Sequence, residues 1–262
     1  MHPSAQAEYL CKRPRLGGRA DFLLMTDFLS SFPTPQAALP RRTFLRVAGA
    51  SAATVGLVLA GCTKPDPVPV SASILSFGSE TTPDKQILNY LFFIKQLEFA
   101  FYDKVVKAFP ADMSPAEQAS FLDLRDHELV HRQVMGDLLG TDGLSALPLD
   151  FTSVSLTTRA GVLAAAKKIE DTASGAFLGI LLRVKNTTLF MLLAKMSSVE
   201  ARHAALISDL LLPGSFAAPD VVVAKPAALA GQAVALSPVQ VATVLGPFVP
   251  ALTINTTSLP AA

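Results

Sequence analysis

Thirty residues separate Glu98 from Glu128, and thirty separate Glu170 from Glu200; the second glutamate of each pair opens a Glu-x-x-His, Glu128 with His131 and Glu200 with His203. Seven glutamates and 4 histidines in 262 residues give about 0.1 Glu-x-x-His pairs by random placement, so two pairs at matched spacing mark one unit written twice. On an α-helix, residues three apart share a face. Each Glu-x-x-His therefore sends a carboxylate and an imidazole to the same side, and the interval before it suits a helix, a turn and a second helix. Glu98 lies on an apolar stripe, with Ile94, Leu97, Phe101 and Tyr102 one turn to either side. Around Glu170 and Glu200 the neighbours are smaller, among them Ala166, Ala173, Ser197 and Ala204, which leaves room for an ion. A carboxylate buried in such a place must be protonated, paired or bound to metal. The six donors Glu98, Glu128, His131, Glu170, Glu200 and His203 are the ligand set of a carboxylate-bridged dimetal site, whose oxygen and imidazole donors suit iron or manganese better than a thiolate-rich zinc site does.

Capping residues place the helices. Thr82-Pro83-Asp84 opens the first, which runs to about Ala108 ahead of Pro110, and Ser114-Pro115-Ala116-Glu117 is a capping box for the second, which ends near Leu139-Gly140. Residues 141–155 form a polar, proline-containing connection. A third helix is expected from about Leu156 to Val184 and a fourth from about Thr187 to Leu212, stopped by Pro213-Gly214. The short turns within each pair make the partners antiparallel neighbours. The fold class is thus all-α, a four-helix bundle over residues 84–212 with a long crossover between its second and third helices, preceded by a linker at 63–83 and followed by an Ala/Val/Pro-rich tail at 213–262. The tail carries little charge, and Ser237-Pro238-Val239-Gln240 has the form of a short helix start; it is read as packing loosely on the bundle.

The stretches Leu97-Glu98-Phe99-Ala100-Phe101-Tyr102, Asp126-His127-Glu128-Leu129-Val130-His131, Ile169-Glu170-Asp171-Thr172 and Val199-Glu200-Ala201-Arg202-His203 resemble the ferritin-like superfamily, closest to its exported, desiccation-related type. A Glu from each of two helices and a Glu-x-x-His from each of the other two is the arrangement known for di-iron and di-manganese bundles. The resemblance implies two iron or manganese ions, iron slightly preferred, with Glu128 and Glu200 as bridging carboxylates. It also implies oxygen or peroxide as substrate in a ferroxidase or a manganese-catalase-like reaction, as part of an envelope stress response. A non-catalytic structural or desiccation-protective bundle is the alternative. His127 points about 100° away from Glu128 and is read as outside the site. Tyr102, one turn beyond Glu98, fits either core packing or a bond to a ligand.

Ahead of the bundle, Pro40-Arg41-Arg42-Thr43-Phe44-Leu45-Arg46 and an apolar run to Ala60 resemble a twin-arginine (Tat) signal, ending in the lipobox Leu59-Ala60-Gly61-Cys62. The run is too short to span a membrane, which needs about 20 apolar residues. Residues 1–62 are expected to act as the signal peptide, with cleavage before Cys62 and Cys62 lipidated, translation starting at Met1 or Met25. The expected partners are the Tat export machinery, which carries folded cargo, and a membrane reached through the lipid anchor; the expected location is periplasmic or cell-surface, and a homo-oligomer is compatible with the sequence. Cys11 and Cys62 are the 2 cysteines, so no thiol remains for disulfides or thiolate ligands. Before Cys62 there are 7 Lys and Arg against 3 Asp and Glu, and from it onward 15 against 18, so no basic surface invites nucleic acid.

Overall fold

A computed structural model describes residues 73–78, 81–225 and 227–260. Four long helices make the bundle: α1 (Pro83–Lys107), α2 (Pro115–Leu139), α3 (Arg159–Leu181) and α4 (Thr187–Leu211). Their starts follow from the caps. Thr82 accepts from the Lys85 amide with Pro83 in the first turn, Ser114 and Glu117 close a reciprocal capping box, and Thr158 and Asn186 accept from Gly161 and Leu189, in each case satisfying an amide that the helix leaves free. Helix α2 ends at Gly140, whose φ of +57° suits glycine. The third helix begins three residues later than the sequence pattern suggests, because Thr158 supplies the cap and Asp112 accepts from the Arg159 amide at 2.8 Å.

Helix α1 packs chiefly on α2 and α3 on α4, with α1 meeting α3 across the bundle. The crossover between the pairs is bonded to α1: the Asn89 side chain donates to the Asp142 carbonyl at 2.8 Å and accepts from the Leu144 amide at 3.0 Å, and the Leu147 amide donates to Gln96 at 3.3 Å. A connection fixed at three points holds the halves in one register.

The flanking segments are built into the same core. Strand β1 (Ser73–Ser76) pairs in parallel with β2 (Leu252–Asn255), Ser73 opposite Leu252 and Ser76 opposite Asn255, so residues before the bundle and near the end of the chain meet in one two-stranded sheet. Helix α5 (Pro238–Leu245) has its own capping box, Ser237 with Gln240, and packs on α3. Val241, Leu245, Phe248 and Val249 are fully buried, each contributing roughly 1.5–3 kcal/mol of apolar burial. The tail reaches α3 through glycines: the Leu236 amide donates to the Gly175 carbonyl at 2.9 Å, and a side chain at Gly179 would collide with the Leu236 backbone. No helix among the described residues is long and apolar enough to cross a membrane. Arg41, Arg42 and Cys62 lie outside the described residues.

Candidate metal centre

The four helices bring the six spaced donors into one buried cluster. Glu98 comes from α1, Glu128 and His131 from α2, Glu170 from α3, and Glu200 and His203 from α4; all four glutamates are completely buried. His131 Nδ1 lies 2.9 Å from Glu200 Oε1, and His203 Nδ1 lies 2.9 Å from Glu128 Oε1. Each histidine thus faces the carboxylate of the opposite Glu-x-x-His, the reciprocal arrangement that a sequence repeat folded onto itself produces. Three overlapping triads have ligand atoms within 4.8 Å of one another: Glu128 with His131 and Glu200, Glu128 with Glu170 and His203, and Glu98 with Glu170 and Glu200.

The donors fit a metal. Buried polar atoms are normally hydrogen-bonded, yet Glu98 Oε1, Glu128 Oε1, Glu170 Oε2, Glu200 Oε1, His131 Nδ1 and His203 Nδ1 have no hydrogen-bond partner. Every one of the six donor residues therefore presents a free ligand atom inside the bundle.

A seventh residue completes the cluster. Lys95, fully buried one helical turn before Glu98, places its Nζ 2.5 Å from Glu98 Oε2 and 2.8 Å from Glu128 Oε2, and it also donates to Glu200 Oε2. The Phe177 ring lies beneath it at 5.4 Å. Burial alone would lower the Lys95 pKa, but Glu128, Glu200, Glu98 and Glu170 together hold it well above the usual lysine value. The same field divides the carboxylates. Burial pushes Glu98 well up, with Glu128 adding to the effect, and burial lifts Glu170 to about 8. Glu128 feels burial too, but Lys95 and His203 outweigh it and bring it down to about 2. Burial opposes the charge on His203, but the carboxylates of Glu128, Glu170 and Glu200 close by raise its pKa above the usual histidine value.

Two further side chains extend the cluster. The Tyr102 hydroxyl donates to Glu170 Oε1 at 2.5 Å, and burial followed by the adjacent Glu170 keeps the phenol well above its ordinary pKa. Of the two roles open to Tyr102 from sequence, the structure gives it both: it is a core side chain that also bonds a donor. His127 is exposed, yet its ring stacks on His203 at 5.3 Å between centroids, and its Nδ1 lies 3.1 Å from His203 Nε2. The expectation that His127 lies outside the site is corrected in this respect. The 100° rotation away from Glu128 does carry it off the centre, but it carries it onto the outer edge of the imidazole from α4. Asp171 and Arg125 pair with Lys167 and Asp126 instead of a donor.

Lys95 is the residue that sequence reasoning missed. Its signal was the i−3 spacing to Glu98, which puts both side chains on one face; a lysine within an apolar stripe reads at first as one that reaches to solvent.

A family model described as a ferritin-like domain matches residues 83–213, the span that carries all six donors, Lys95 and Tyr102. A search of curated proteins returns no match.

Proposed function

Since this chain belongs to the ferritin-like domain family, we propose that it is an exported, lipid-anchored metalloprotein that holds iron or manganese among Glu98, Glu128, His131, Glu170, Glu200 and His203 and consumes oxygen or peroxide at the cell envelope. The single observation that carries the metal reading is the set of unpartnered ligand atoms, one or more on each of the six donors, in a cluster buried except at the edge of His131. By donor count the six residues would hold one ion or two, with Glu128 and Glu200 each offering an oxygen beside a histidine. Such metals would supply electrons to an O–O bond and stabilise the charge that develops on oxygen. The chain's own residues would do the rest. The Glu-x-x-His pairs orient donors from opposite helices, Tyr102 fixes the Glu170 carboxyl, and His127 sets the edge of His203 that faces away from the centre, as outer partners of ligating histidines generally do.

Export and anchoring rest on the sequence: the Arg41-Arg42 motif, the apolar run and the Cys62 lipobox. Ferroxidase and catalase-like turnover are the two reactions that this donor chemistry suits, and protection of the envelope under oxidative stress follows from either.

The full-length chain, loaded with iron or manganese, should retain metal through gel filtration, whereas a Glu128→Ala/Glu200→Ala double variant should not. Chelation should lower the melting temperature of the native protein, because an ion bound only by the folded state stabilises it by mass action. Equal metal content in both proteins would sink the assignment. One observation favours a second reading, a non-catalytic bundle: Lys95 already compensates part of the buried charge. That reading requires a metal-free protein whose melting temperature is indifferent to chelators.

A further inference from the structure

A carboxylate that bridges two metal ions offers one oxygen to each, and both candidate bridges here are already half committed. Glu128 turns Oε2 to Lys95 Nζ at 2.8 Å, and Glu200 gives its Oε2 to the same ammonium. Glu98, the terminal carboxylate of that side, adds Oε2 at 2.5 Å. The ammonium donates to Glu128 and Glu200 and lies in ion-pair contact with Glu98, whose own oxygens accept no hydrogen bond. On the opposite side, Glu128 Oε1 and Glu200 Oε1 face the histidines and are unpartnered, as are His131 Nδ1, His203 Nδ1 and Glu170 Oε2. Of the three triads able to hold an ion, two have two of their three members bound to Lys95, Glu98 and Glu200 in one and Glu128 and Glu200 in the other, whereas Glu128 with Glu170 and His203 has one.

We propose that the Lys95 ammonium permanently takes the place of one of the two cations, so that the native centre takes a single divalent ion, held by Glu128, Glu170 and His203. The inference rests on reading the cluster as a metal centre, and it makes Lys95 a positioning residue: a built-in counter-cation that fixes the two bridging carboxylates in place of a second metal. No other lysine serves this position among the described residues. Lys167, at the matching place before Glu170, turns outward to Asp171 and Asp220.

The test is to count ions. The metal-free full-length chain, its Lys95→Met variant and a Lys167→Met control are each titrated with Mn(II), freed of excess and assayed for manganese and for the electron paramagnetic resonance spectrum. The native chain and the control should hold one ion with the signal of an isolated Mn(II). Lys95→Met should hold two with the multiline spectrum of a coupled pair. Two ions in the native chain overturn the inference whether or not the variant folds, while leaving the metal reading intact; one ion in a folded Lys95→Met protein overturns it too. Manganese absent from all three, with Fe(II) giving the same result, removes the metal reading itself.

Discussion

The two halves of the bundle are copies in spacing and opposites in what surrounds the spacing. A shift of seventy-two residues carries Glu98, Glu128 and His131 onto Glu170, Glu200 and His203, and it also carries Lys95 onto Lys167, Tyr102 onto Ser174 and His127 onto Val199. In the first half the lysine is sealed among three carboxylates; in the second it is partly exposed and held by Asp171, one turn away, and by Asp220 from the tail. The matching place to Asp171 in the first half is Phe99, which has no carboxylate for an ammonium and whose ring carries the Arg132 guanidinium instead. One lysine has an acid to hold it outside and the other does not, and that difference decides which turns inward. A duplicated ligand set thus has one side completed by a lysine and the other by Tyr102 reaching across from α1.

The contrast breaks most visibly when the lysines are removed. In the metal-free protein, Lys95→Met leaves buried carboxylates without their cation and should cost about 3–5 kcal/mol, whereas Lys167→Met, at a partly solvated pair, should cost no more than about 1 kcal/mol. Denaturant midpoints measure both, and added Mn(II) should restore Lys95→Met more than it raises the native chain. Equal losses at the two lysines would show that burial, not position in the repeat, has been misjudged.

The tyrosine and serine sharpen the same comparison on a smaller scale. Tyr102→Phe removes the donor to Glu170 and should lower stability by about 1–3 kcal/mol, while Ser174→Ala at the matching place should stay within about 0.5 kcal/mol. A loss of similar size at Ser174 would mean that α3 supports the centre from its own side.

How much of this was legible in the sequence depends on the range of the interaction. Caps act within three residues, so the helix starts at Pro83, Pro115, Thr187 and Pro238 could be read from Thr82, Ser114, Asn186 and Ser237. The donors were legible because their chemistry is expensive to bury unless they converge. The fate of Lys95 was only partly legible, since the same i−3 signal precedes Glu98 and Glu170: Asp171 against Phe99 marks the difference locally, but Asp220 reaches Lys167 only in the packed structure. The pairing of β1 with β2 was not legible: four-residue strands far apart in sequence carry no local mark of their partner. His127 reached His203 for a related reason, its direction being fixed by α2 but its neighbour by the approach of α4.

The smallest expected effect lies where the halves are joined at their helix starts. Glu117 closes the capping box of α2 and accepts from Arg159 of α3 at 2.5 Å, and Arg159 in turn donates to the Leu210 carbonyl of α4. At the start of α4 the matching place is Leu189, and the cap there is the uncharged Asn186. Burial opposes the Glu117 charge, but bonds from Ser114 and Arg159 together outweigh it and hold its carboxyl below the usual glutamate value. A carboxylate depressed in the folded state contributes stability that is present above its unfolded pKa of about 4.3 and disappears as pH falls through the folded one. Glu117→Gln keeps the box geometry and loses the charge, so it should be about 0.5–1 kcal/mol less stable at pH 7, with the gap narrowing below about pH 4.3 and closing once the native carboxylate is protonated. Asn186→Ala, a cap loss of about 1 kcal/mol, should show no such narrowing. Denaturant midpoints for the three proteins at pH 7, 5, 4 and 3 separate the charged junction of the first half from the neutral one of the second, and a Glu117→Gln gap that persists undiminished at pH 3 would show that Arg159 is held by packing alone.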